Sequence, residues 1–451
     1  MDNQFIKSTL RIAVPIMFQQ VLNTITNLVD TFMIGKLGEA SIAGVGLASK
    51  VFFVLVLIVF GTASGLGVLA SQYWGNKDMK RIHEVTGIAL SITVTVSVLV
   101  MIACLITPVG VMGIFTNSAD VAAEGAKYLR IVCISYPLIA ISNTVCSSLR
   151  SIGKVNAPLF CSSVAIVVNI FFNYCLIFGN FGFPAMGVAG AACATLIARA
   201  SELVILIIYL KKNRLLPKGV FREMFDWEPQ VIKQYVAKSL PVTANETLWG
   251  LGITMYALCY GRISAGAAAS MTIVETFTDI ELVGVMGLSH ATAIILGNEL
   301  GEGKLEEAKK HADWDMILAI IAGVIMAIFT FFVKDAYISI YDVSAESAQS
   351  IRQCLNVYCI ALIFRCFNTV TVVGILRSGG DTIVCALIDI LPIWLCTVPL
   401  VFLSGLVWKL PLYMVFFMAN VDEIIKLFVS FARVKQYKWL KNLNTELSQI
   451  E

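Results

Sequence analysis

Charge is what this chain has least of. Only 14% of its 451 residues are Asp, Glu, Lys or Arg, against 58% hydrophobic, whereas a soluble globular domain carries about 25% charged residues. That deficit excludes an ordinary soluble domain and points to a membrane protein. Histidine is scarce too, at 3 residues. The 12 cysteines, among them Cys104, Cys133, Cys175 and Cys259, fall mostly in apolar runs without CxxC spacing. They read as small apolar residues, not as metal ligands or a disulfide framework. No His/Asp or Cys/His cluster of catalytic type and no Walker A loop occurs, which argues against an enzyme and against an ATP-driven pump. The first apolar run is too long for a signal-peptide core, and no small-residue cleavage site follows it. A formal net charge of +3 gives no reason to expect nucleic acid as a partner.

Apolar runs fill the space that charge leaves. Each is long enough to cross a ~30 Å hydrocarbon core as a helix, and about twelve can be read on that criterion. They lie near 9–33, 46–72, 85–108, 122–149, 157–179, 185–210, 232–258, 267–297, 312–333, 347–375, 382–404 and 410–432. Lys and Arg gather in alternate connections, for example Lys77, Lys80 and Arg81, Lys211 to Lys218, Lys304 to Lys310, Arg377, and Arg433 to Lys441. The opposite loops hold Lys36, Arg262, Lys334 and Lys409. The positive-inside rule therefore places both termini in the cytoplasm.

The second half repeats the first at an offset of 226. Pro15 falls on Pro241, Gly35-Lys36 on Gly261-Arg262, Ala43 on Ala269, Gly61 on Gly287 and Gly75 on Gly301. LRSIG at 149–153 matches LRSGG at 376–380 with one residue inserted. An even number of spans per copy makes the copies parallel, an arrangement found in secondary transporters. The expected fold is all-α, a membrane protein of about twelve transmembrane helices in two pseudo-symmetric six-helix bundles. The expected divisions are an amino-terminal bundle over 1–210, a cytoplasmic linker over 211–231, a carboxyl-terminal bundle over 232–433 and a cytoplasmic tail over 434–451. A cleft between the bundles is the expected place for a substrate, and Pro15 and Pro241 are expected kink sites.

Function must then come from polar residues inside the spans, where ionisable groups are costly. Asp30, in TNLVDTFMIGKLG, ends an apolar run that is otherwise free of acids. It reads either as a helix-end residue or as one lining a water-filled cavity with Gln19, Asn23 and their polar neighbours. Asn169 and Asn173 are four residues apart and share a helical face. Thr195 adds an oxygen from the next span. Oxygens of Asp, Asn and Thr suit a hard monovalent cation or a proton, although the two amides can equally serve as interhelical glue. In the second half Glu246, Glu275, Asp279, Glu281 and Asp389 lie in spans, with Trp249, Tyr256 and Trp394 near some of them. Acids and aromatics facing one cavity would attract an organic cation, whereas internal pairing, for instance with Lys238 or Arg365, would leave them structural. Arg199 with Glu202 and Glu423 with Lys426 are spaced i, i+3 and read as structural pairs.

Several stretches together resemble the multidrug and toxic compound extrusion (MATE) family. They are PIMFQQVLNTITNLVDTFMIGKLGEASIAGVGLAS, GTASGLGVLASQYWGNKD, SSLRSIGKVNAP, NIFFNYCLIFG, LPVTANETLWGLGITMYALCYGR and GLSHATAIILGNELGEG. The resemblance covers essentially the whole chain. It implies secondary-active efflux of organic, often cationic compounds, driven by an H⁺ or Na⁺ gradient, with no other cofactor. It places the family's amino-terminal cation site on Asp30 in the first helix and on an NxxxD pattern in the fifth. Asn169 matches the Asn of that pattern, while Asn173 stands where the family has Asp. Thr195 matches a Thr of the sixth helix, so Na⁺, if it is the ion, would lie at Asp30 and Asn169. Glu246 matches a Glu of the seventh helix that belongs to a carboxyl-terminal cation site.

The reading from sequence is thus an alternating-access antiporter in a bacterial plasma (inner) membrane, contacting lipid and acting as a monomer. Asp30, Asn169, Asn173 and Thr195 would couple the ion. Gln19, Asn23, Glu246, Trp249, Tyr256, Glu275, Asp279 and Asp389 would line the substrate cavity. The alternative is a flippase for lipid-linked precursors with a related two-bundle fold, which would favour a cavity rich in cations.

Overall fold

A computed structural model of the chain describes residues 2–116, 118–215, 219–341, 343–443 and 445. Lys218 of the linker, and residues 444 and 446–451 of the tail, lie outside the described residues. Among the described residues the regular structure is helical, with no strand. In chain order the helices are α1 (Asn3–Gly35), α2 (Glu39–Gly75), α3 (Met79–Ile106), the short α4 (Pro108–Gly113), α5 (Ala119–Val132), α6 (Ser135–Ser151), α7 (Asn156–Phe178), α8 (Val188–Lys212) and α9 (Val220–Phe225). Then follow α10 (Pro229–Ile263), α11 (Ala265–Gly301), α12 (Leu305–Ile338), α13 (Ala345–Thr369), α14 (Thr382–Leu391), α15 (Val398–Phe402), α16 (Leu412–Met418) and α17 (Val421–Lys435).

Among the described residues nine helical stretches are long and apolar enough to cross a membrane, or ten if α5 and α6, bent by 53° at their break, form one span. The other two expected runs have local reasons for weaker signals. In α10 the apolar run is diluted by Lys233, Lys238, Asn245 and Glu246. The last run is broken between α16 and α17. Three π-helical turns, Val370–Leu376, Pro392–Thr397 and Leu403–Val407, interrupt the helices of the last third. Proline has no N–H to give the turn below it, which accounts for the loosened turn that opens at Pro392.

Two compact units emerge. The amino-terminal unit holds Phe18–Ala70 and Asp78–Ser239, and the carboxyl-terminal unit holds Met1–Met17, Ser71–Lys77 and Leu240–Glu451. The first helix of each repeat is thus divided close to its internal proline, Pro15 in α1 and Pro241 in α10. Packing explains the exchange. In the amino-terminal unit the start of α10 lies on α2, with Ser239 against Gly65 and the Tyr235 hydroxyl donating to the Thr62 carbonyl at 2.9 Å. In the carboxyl-terminal unit the start of α1 lies on α11, with Ala13 and Met17 against Gly287, and Phe5 stacks on His311 at 4.3 Å.

One contact maps onto itself under the repeat offset. Within the carboxyl-terminal unit Gly75 abuts Asn298, Gly301 abuts Gln72, and Gly297 abuts Ser71. Residues 72 and 298, 75 and 301, and 71 and 297 are repeat mates, so each contact is the image of another or of itself. The contact is thus self-complementary under the repeat offset. Backbone meets backbone at these points because glycine has no Cβ to hold the helices apart.

Small residues do the same work inside the amino-terminal unit. Gly190, Ala191, Ala192 and Ala194 of α8 are buried, and Gly190 lies on the Leu176 carbonyl of α7. Close approach of this kind drives helix association where apolar contact with lipid offers no advantage. Replacing Gly190 by Val should lower the thermal midpoint of the purified protein by several degrees. Gly46→Ala, where a methyl would meet nothing within 4 Å, should leave it unchanged. Equal behaviour of the two variants in a melting series would contradict this packing account.

Candidate functional site

Asp30 lies one turn from the carboxyl end of α1 and is half-buried. Across from it α7 presents Asn169 and Asn173, both buried and one turn apart. The Asn173 amide donates to Asp30 Oδ1 at 2.5 Å and to Asn169 Oδ1 at 3.1 Å. A carboxylate can only accept, so the Asn173 nitrogen must face it. Asn173 Oδ1 is left without a hydrogen-bond partner. Thr195 stands on α8, its hydroxyl donating to the Ala191 carbonyl at 3.1 Å, with Tyr128 of α5 facing it. Arg199, one turn further along α8, contributes positive potential at Asp30.

Hydrogen bonds thus link Asp30, Asn169 and Asn173, and Thr195 approaches them through Tyr128. The cluster has one carboxylate, two amides and a hydroxyl. A second acid in place of Asn173 could not donate to Asp30 while ionised; the amide can. The spare Asn173 oxygen and the carboxylate provide oxygen ligands of the kind a hard cation takes, and the carboxylate alone can take a proton.

Behind this cluster runs a polar chain with weaker sequence signals. Arg199 pairs with Glu202 at 2.9 Å, and Glu202 accepts from Ser162 at 2.9 Å. Ser162 in turn accepts from Gln19 at 2.9 Å, whose oxygen accepts from Arg150 at 3.4 Å. Gln19 is thus committed to this chain, and Asn23 donates to Gln20 on its own helix at 3.3 Å. Ser162 and Arg150 carried no i, i+4 signature, so only the fold reveals their part.

A second polar centre lies wholly within the carboxyl-terminal unit. It is an open cavity of about 570 Å³, a figure that counts the solvent at its mouth. Glu246, Trp249 and Asp389 line it, as do Arg365, Arg377, Glu423 and Lys426. Tyr256 does not; it packs in the core with Cys259 and Tyr260. Glu275 and Asp279 are not among the lining residues either, and Asp279 is exposed. Glu281 is buried on α11, where it accepts from the Thr330 hydroxyl.

The cavity acids are already engaged. Glu246 pairs with Arg377 at 2.8 Å, and Arg377 is buried, so it is not the loop cation its position after an apolar run implied. Lys426 pairs with Asp422 at 2.8 Å and Asp389 at 3.6 Å. The expected Glu423–Lys426 pair gives way to this i, i+4 contact, and Glu423 accepts from Asn368 at 2.8 Å. Asp389 also accepts from Asn245 at 3.0 Å. The π-turn at Val370–Leu376 brings Val372 and Val373 to the same cavity, as such turns often do at functional sites.

Long apolar helices, an internal repeat and charged groups gathered inside the units define a multi-span membrane transporter of the two-repeat type. A family model, MatE, matches residues 15–175 and again 242–403, once in each half. The chain belongs to that family of transporters and is not an enzyme. Among its relatives, the probable multidrug resistance protein NorM of Thermotoga maritima is 24% identical over 401 residues, covering 88% of this chain and 85% of that one. A protein of the same description from Listeria innocua is 27% identical over 400 residues, covering 87% and 86%. Solved structures share the fold. The MATE transporter VcmN of Vibrio cholerae superposes with a TM-score of 0.88 at 17% identity, over 97% of this chain and 98% of that one. A MOP superfamily transporter of Pyrococcus furiosus, described as having a binding pocket of reverse polarity, gives 0.86 at 18% identity, over 96% and 95%.

Two substitutions probe these centres. Arg377→Ala leaves the Glu246 carboxylate buried without its partner, so it should destabilise the protein by about 3–5 kcal/mol, read as a lowered unfolding midpoint; Glu246→Gln/Arg377→Met together should recover most of the loss. Asn173→Asp places a second carboxylate against Asp30. It should raise the number of protons the purified protein takes up as the pH is lowered, because a carboxyl pair titrates in two steps. Unchanged proton uptake would contradict the assigned contact.

Proposed function

We propose that the protein is a secondary-active efflux antiporter. It exports small amphipathic organic compounds that carry an amine or cationic group, in exchange for H⁺ or Na⁺ bound at Asp30. The observation that supports this best is the Asp30 cluster, a lone carboxylate in an apolar helix whose hydrogen-bond partner, Asn173, keeps a further oxygen available. Relatives described as multidrug resistance proteins support export of drugs as the physiological task. The alternating Lys and Arg support a multi-pass orientation with both termini cytoplasmic, in the bacterial plasma membrane.

The mechanism follows from linkage. A conformational equilibrium shifts only as far as a ligand binds its two states differently. Asp30 and Asn173 sit on different helices, α1 and α7, so movement of one against the other changes the contacts open to an ion. Loading then favours one state and release the other. With a single carboxylate in the cluster, one monovalent ion is exchanged per cycle.

In proteoliposomes, an imposed pH or Na⁺ gradient should drive export of a fluorescent organic cation, and Asp30→Asn should reduce gradient-driven export at least tenfold, roughly the loss of one interaction of 1.4 kcal/mol or more. Passive exchange without a gradient should persist in the variant. Full gradient-driven export by Asp30→Asn would show that the coupling lies elsewhere.

A further inference from the structure

The cavity of the carboxyl-terminal unit is lined by the acids Glu246, Asp389 and Glu423 and by the bases Arg365, Arg377 and Lys426. Glu246 and Arg377 hold each other, Lys426 and Asn245 hold Asp389, and Asn368 holds Glu423. Arg365 differs. Among the described residues no hydrogen bond or ion pair engages its guanidinium, and Glu423, Asp422 and Asp279 act on it only through space. A guanidinium presents five N–H donors in a planar fork matched to a planar anion. Arg365 is half-buried and lines the cavity, so its fork is open to a ligand that enters.

A second unmet group lies on the same wall. Asn245 is 2% exposed; its amide nitrogen serves Asp389, and its Oδ1 has no partner. The cavity therefore offers an uncommitted donor fork and an uncommitted acceptor, beside the apolar Trp249, Leu282 and Met286.

We propose that this cavity binds an organic carboxylate that also carries an N–H or ammonium group, its carboxylate forked on Arg365 and its nitrogen donating to Asn245 Oδ1. The lining acids and bases balance, and Asp422, which pairs with Lys426, adds one further negative charge, so a ligand with both charges leaves the set no more anionic, whereas a phosphate dianion would face Glu423 and Asp389 uncompensated. As a statement about substrate this rests on the antiport reading; as a statement about binding it does not.

The test compares the rhodamine acid with unsubstituted amino groups and its methyl ester, dyes that differ in a free carboxylate. Fluorescence anisotropy on purified protein in nanodiscs should show the acid bound about tenfold more tightly, the scale of one charge-assisted pair. Arg365→Gln should erase the preference while ester binding stays within about threefold. Arg365→Lys, which keeps the charge and loses the fork, should retain only part of it; should the Gln variant fail to fold, an undiminished preference in the Lys variant overturns the assignment. So do equal binding of the two dyes by the wild type, and displacement of the acid dye by phenyl phosphate more effectively than by benzoate. Gradient-driven export of the dyes is measured separately. A binding preference without export would contradict the antiport reading and leave the site standing, and export without a preference would do the reverse.

Discussion

The hydrogen bond from the Asn173 amide to the Asp30 carboxylate is the contact on which the amino-terminal unit turns. A carboxylate on an apolar helix needs a donor, and in hydrocarbon surroundings only protein can supply one. α7 supplies it through an asparagine one turn from another, and α8 brings Arg199 within electrostatic reach. α8 can do so because Gly190 and the alanines after it let it lie on the α7 backbone. Small residues in one helix thus set the electrostatics of a carboxylate in another. The remaining charges of that face, Arg150 and Glu202, are held by Ser162 and Gln19, which leaves Asp30 as the acid whose bonding can change at least cost.

The carboxyl-terminal unit has solved the same constraint differently. Its buried acids face buried bases directly, Glu246 on Arg377 and Asp422 and Asp389 on Lys426. Buried pairs of this kind add little to stability yet are costly to break; Glu246–Arg377 ties α10 to the turn that follows α13, and Asp389–Lys426 ties α14 to α17. The repeats therefore differ in chemistry: one has a lone acid with amide partners, the other a set of buried ion pairs with a single arginine uncommitted.

Much of this was legible beforehand, for identifiable reasons. Hydrophobic length and the repeat of Pro15, Gly35 and Gly75 onto Pro241, Gly261 and Gly301 pointed to two parallel helical copies, because both signals are local and strong. Asn169 and Asn173 could be placed on one face because helical period is local too. What stayed hidden is tertiary. Arg377 sits beside a glycine turn and read as a loop cation, yet the fold buries it against Glu246. Lys426 lies three residues from Glu423 and four from Asp422, and spacing alone did not decide between them. Acidity alone likewise grouped Glu275 and Asp279 with Glu246, although only Leu282 and Met286, further along the same face of α11, line the cavity. The exchange of helix starts near Pro15 and Pro241 depends on contacts about 170 to 300 residues apart in sequence, beyond any local pattern.

The central claim is that one carboxylate, Asp30, couples one ion to each transport cycle. Its most direct test is the reversal of transport in proteoliposomes, where the substrate gradient that just balances an imposed ion gradient gives the ions moved per substrate. The account predicts one ion per substrate. A ratio of two or more would require a second coupling group, and balance at equal substrate concentrations whatever the ion gradient would mean that no ion is coupled at all.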